Sequence, residues 1–138
     1  MRGEYTALER QLQLYFDGLY LGDVRLLERV FHIDARYVCA TGGTLVNIGM
    51  NEYLPMVAAR PAPAQHGQLR CDRIVSMEFA GPNTAFARVN CAIGDRYFTD
   101  LLTFIRTNEG WQIIAKVFHF EERVPPAVEA KRDCPCHV

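Results

Sequence analysis

The stretch that most constrains this chain is residues 97–120, "YFTDLLTFIRTNEGWQIIAKVFHF". Aromatic and β-branched residues on either side of Asn108-Glu109-Gly110 specify two strands joined by a tight turn. Asp100, Lys116 and His119 break that pattern, because a charge among apolar neighbours is costly unless it is paired or used. Where they point depends on the register. If Gly110 is the left-handed residue of a three-residue loop, Thr107 faces Trp111, Asp100 faces Phe118, and Lys116 becomes the diagonal neighbour of Asp100. If the loop has two residues, Asn108 faces Trp111, Asp100 faces His119, and Lys116 drops to the other side. Gly110 suits a bulge after a type I turn, which favours the first arrangement. Asp100 and Lys116 are then either an ion pair within the hairpin or the floor of a pocket.

Upstream of the hairpin the periodicity is helical. Tyr5, Leu8, Leu12, Tyr15, Phe16 and Leu19 recur at three- and four-residue spacing, which predicts an amphipathic helix of about four turns. Gly22 ends it, and Asp23 is placed to cap a second helix carrying Leu26, Leu27, Val30 and Phe31. "ARYVCAT" changes to strand chemistry and turns at Gly42-Gly43 into a short partner, "TLVNI". "MNEYLPMVAAR" reads as a third helix, with Pro55 tolerable near its first turn. After a proline-rich loop come strands at 70–80, 84–93, 97–107 and 111–121. Helices followed by a long meander is the α+β pattern, with the helices on one face of a curved antiparallel sheet. Residues 1–123 are expected to form one domain and 124–138 a flexible tail.

Composition removes several classes of function. Fifteen basic against sixteen acidic residues leave a net charge of −1 and no basic patch, so nucleic acid is not expected as a partner. No apolar run approaches the ~20 residues that span a bilayer. The charged N-terminus is unlike a signal sequence, which makes the cytoplasm the expected location. An odd set of five cysteines argues for reduced thiols, with Cys39, Cys71 and Cys91 as small core residues. Cys134, Cys136 and His137 are close together at the end of the chain, without a second ligand cluster upstream. The remaining histidines, His32, His66 and His119, are dispersed, so neither a structural metal nor a cofactor is expected.

"YFDGLYLGDVRLLERVFHIDARYV" followed by the 97–120 hairpin resembles the nuclear transport factor 2-like superfamily, most closely its putative lumazine-binding group. The resemblance covers roughly residues 5–121. It implies a cone: a curved antiparallel sheet packed against three N-terminal helices, with dimerisation through the sheet. In the ketosteroid isomerase branch a helix tyrosine and a strand aspartate form an oxyanion hole, and Tyr15 and Asp100 resemble that pair. The position of that branch's general base is Cys39 here, so the same isomerase chemistry is not expected.

The expected function is therefore binding of a small, partly hydrophobic molecule in the cone by a homodimer. Tyr15, His32, Tyr53, Asp100, Lys116 and Phe118 are its candidate ligand-binding residues. The alternative is a cofactor-free isomerase, dehydratase or cyclase in which Asp100 or His119 is the base and Tyr15 the electrophile. His32 could instead serve the C-terminal end of the second helix. Arg88, flanked by Phe86 and Asn90 on one strand face, points either inward or to the outer face of the sheet.

Overall fold

The computed structural model describes residues 2–122; the expected tail with Cys134, Cys136 and His137 lies outside the described residues. Helix α1 (Arg2–Leu21) follows its periodicity, burying Leu8, Leu12, Tyr15, Phe16 and Leu19 while Tyr5 stays exposed. Asp23 caps α2 (Val24–Val30), its Oδ1 accepting the Arg25 N–H at 2.9 Å. That helix stops one residue earlier than its periodicity predicts. Phe31 gives its N–H to the Leu27 carbonyl as the cap and opens strand β1 (Phe31–Cys39). β1 turns into β2 (Val46–Gly49), and α3 (Met50–Ala59) follows at once, with Pro55 in its interior rather than in its first turn.

A single turn of 3₁₀ helix (Pro63–His66) leads to β3 (Arg73–Phe79), β4 (Thr84–Ile93), β5 (Arg96–Thr107) and β6 (Gly110–Glu122). The six strands form one curved, unclosed sheet in the order β2-β1-β6-β5-β4-β3. Its neighbours pair antiparallel except β1 and β6, which run parallel. The sequence signalled the meander but not this attachment, since a parallel partner is reached only through a long crossover. Here β2, α3 and the three strands β3, β4 and β5 supply it.

Alternation along β4 is clean. Ala85, Ala87, Val89 and Cys91 are buried against the helices, while Arg88 is exposed on the outer face together with half-buried Phe86 and Asn90. Cys39 and Cys91 are buried reduced thiols, as expected. Cys71 is buried too, but against expectation it is held in a disulfide, and it lies in irregular chain before β3 rather than on a strand. No helix among the described residues is long and apolar enough to cross a membrane.

Candidate functional site

The site begins with an irregularity in the long hairpin. Thr107 lies opposite Gly110, one residue tighter than the favoured register, with Gly110 at φ +89°. A register shift between Thr103 and Phe104 then takes up the difference, so Asp100 still lies opposite Phe118 and Lys116 opposite Leu102. The shift also decides which side chains face the helices. Trp111 and Ile113 point inward, and strict alternation would continue with Ala115 and Val117, leaving Lys116 outside. The bulge resets the alternation. Lys116 and Phe118 turn into the core, while Val117 and His119 turn out.

Asp100 and Lys116 are thereby enclosed, at 0 % and 2 % exposure, between the sheet and α1. Tyr15, on the buried face of α1, donates its hydroxyl to Asp100 Oδ2 at 2.5 Å. Lys116 Nζ stands 3.9 Å from the same oxygen and 3.5 Å from the Tyr53 hydroxyl. The Cys91 thiol approaches it at 3.8 Å, and Asp100 Oδ1 has no hydrogen-bond partner. Around the ammonium stand the rings of Tyr15, Tyr37, Tyr53, Phe98 and Phe118, with centroids 5.2–5.8 Å away. Their faces attract a cation and shield it from water.

The electrostatics follow from the enclosure. Burial pushes the Tyr15 phenol well above its usual range, and the charge of Asp100 adds to this. For Lys116 burial alone would lower the pKa, but the neighbouring Asp100 carboxylate outweighs it and the net shift is upward. Lys116 thus stays a cation and does not become a neutral amine nucleophile. The group can hold a charge and a short hydrogen bond; a ligand reaches it only if its aromatic surround opens.

The remaining expected residues are elsewhere. His119 is exposed on the outer face, its Nδ1 2.9 Å from Thr41 Oγ1, away from Asp100 and Tyr15, beside which the alternative enzyme reading set it: the bulge that brings Lys116 in sends His119 out. His32 is on β1, where its Nδ1 accepts the Asp34 N–H at 3.0 Å instead of serving the end of α2. Among the described residues no group of His, Cys, Asp or Glu could hold a metal ion.

Next to the cluster, away from the β5–β6 turn, is an open pocket of about 460 Å³. Tyr37 and Phe98, two of the rings around Lys116, form its wall on the cluster side. Met56, Ala59 and Ile93 supply further apolar lining, together with Arg60 and Arg96. Sequence reasoning assigned no role to Arg60 or Arg96, because each is one charged residue at an element end with no motif around it.

The chain was compared with known proteins. The model of the family described as "Putative lumazine-binding" matches residues 4–119. No curated protein matches. Among solved structures, an NTF-2 like protein of unknown function from Silicibacter pomeroyi is 22% identical, covering 87% of this chain and 98% of its own, with a TM-score of 0.74. An NTF2-like protein of unknown function from Shewanella baltica is 19% identical, covering 88% and 96%, with a TM-score of 0.78. A ketosteroid isomerase-like protein from Erwinia carotovora atroseptica is 12% identical, covering 89% and 100%, with a TM-score of 0.69. These likenesses are of fold, and the family match spans nearly the whole domain. Its fold is that of the NTF2-like structures, and the chain belongs to the family described as "Putative lumazine-binding".

Proposed function

We propose that this protein binds a small, partly hydrophobic molecule in the pocket walled by Tyr37 and Phe98. The observation that carries the reading is the pocket itself: about 460 Å³, within the range of small-molecule sites, mostly apolar, with Arg60 and Arg96 among its lining. The family's name speaks for a small-molecule ligand. On this reading Tyr15, Tyr53, Asp100, Lys116 and Phe118 brace the inner wall from behind, and His32 and His119 take no part. Protein-observed NMR with a library of apolar fragments tests it. Hits should move the Met56, Ala59 and Ile93 methyl signals, and Ala59→Trp, which fills the space, should abolish them. Hits that move only signals elsewhere would overturn the reading.

A cofactor-free isomerase, dehydratase or cyclase is the second reading, favoured by the 2.5 Å contact between Tyr15 and Asp100. Such an enzyme must open its aromatic wall to substrate. Cys91, buried beside Asp100, reports that opening. Alkylation of its thiol faster than global unfolding supports an enzyme, and alkylation only through global unfolding removes this reading.

The outer sheet face supports a homodimer. Val117 is 45% exposed there, with half-buried Phe86, Leu101 and Ile105 around it. Sedimentation should give a dimer, and a stable monomer at micromolar concentration would exclude one. Reduced Cys39 and Cys91 fit the expected cytoplasmic setting, whereas the Cys71 disulfide weighs toward an oxidising one. Cell fractionation separates the two.

A further inference from the structure

Arg60 ends α3, where its backbone N–H reaches the Met56 carbonyl at 3.1 Å. Its side chain makes no ion pair with the described residues, and Nη2 is buried without a hydrogen-bond partner. A guanidinium nitrogen shut away from both water and acceptors is costly, and a turn of the side chain toward an acceptor in the pocket recovers the cost. Capping the helix does not explain it, because a guanidinium serving the last carbonyls would be bonded to them. Arg96, by contrast, is already engaged: it is 3.4 Å from Glu122 Oε1, stacks 4.4 Å from the Phe120 ring, and is half exposed.

We infer that the pocket takes an organic acid, whose carboxylate is received by Arg60 and whose apolar body lies against Tyr37 and Phe98. This rests on the pocket reading above and names its ligand class. A planar guanidinium suits a carboxylate, which can accept two parallel hydrogen bonds from it. The C-terminal end of α3 carries a partial negative charge at Ala59 and Arg60, which opposes a second negative charge on the ligand. One carboxylate is therefore a better match than a phosphate dianion. Burial raises the Tyr37 phenol at the pocket wall, and Lys116, followed by Arg60, offsets only part of that rise.

Naphthoate and naphthamide share the same fused ring system and differ in charge, which makes them suitable probes. Wild-type protein should bind naphthoate about tenfold more tightly than naphthamide, or about 1.4 kcal/mol. Arg60→Gln should bring naphthoate down to the amide's affinity and leave the amide unchanged, with the melting temperature intact because no described partner is stranded. Equal wild-type affinity for acid and amide, or an equal loss of both in Arg60→Gln, overturns the acid while the pocket reading stands. If neither probe moves the Met56, Ala59 or Ile93 methyl signals, pocket and acid fall together.

Discussion

Around Asp100 the protein has gathered its donors on one oxygen. Oδ2 receives the Tyr15 hydroxyl and faces Lys116 and the Cys91 thiol, while Oδ1 has no partner. With both charges sealed from solvent, removing one leaves the other uncompensated. Asp100→Asn should cost about 3–5 kcal/mol in urea unfolding, and Lys116→Met a similar amount. The two together should recover much of the loss, because an Asn oxygen still accepts from Tyr15 and a thioether packs among the rings. Strictly additive losses would mean that the pair is not coupled. The raised values of Tyr15 and Lys116 also set a pH window. In both, folding favours the protonated form, so their contribution is complete below the ordinary values of 10.0 and 10.5 and is lost as pH climbs beyond them. Stability should hold from about pH 7 to 9 and fall above about 10. Tyr15→Phe, with one titrating group fewer, should show a shallower fall, and an unchanged slope would contradict this origin.

At the scale of elements, α1 and α2 meet at Gly18. A Cβ there would come within 2.6 Å of Leu27 Cδ2, and Leu27 is fully buried. Gly18→Ala gains about 1 kcal/mol of helix propensity but overpacks at a cost of about 1–3 kcal/mol, so the melting temperature should fall. In a Leu27→Ala background the same change should raise it; a fall in both backgrounds would locate the cost elsewhere. The helices were legible because local spacing dictates them: Leu8, Leu12, Tyr15 and Leu19 announce α1, and Asp23 announces the cap of α2. Asp100 and Lys116 were legible as a pair because they interrupt apolar runs. The bulge that turns Lys116 inward was not, because Trp111 to Phe118 reads as an unbroken strand and the extra residue is set by pairing with Thr103 and Phe104. Arg60 was invisible for the same reason. Its significance lies in what tertiary packing denies it, which no local pattern encodes.

At the scale of the whole molecule, the family and the fold agree with the order of elements read from the sequence, and the difference lies in one pairing. β1, completed by residue 39, finds its inner neighbour in β6, which begins at residue 110. The last strand to be written is thus flanked on both sides, with the first hairpin on one edge and the meander on the other. Long-range pairing of this kind is slow, because loop closure must be paid for before the contacts form. During synthesis from the N-terminus, the helices and the β1–β2 hairpin wait with no sheet to join. A ribosome-stalled nascent chain ending at Thr107 should therefore be cut by protease throughout residues 2–59, and one that includes β6 outside the exit tunnel should resist. Protection of the shorter chain would show that the helices hold the first hairpin unaided. The sheet closes on β6, and interruption of translation within it would release a chain with most of its residues but without the strand that joins the first hairpin to the meander.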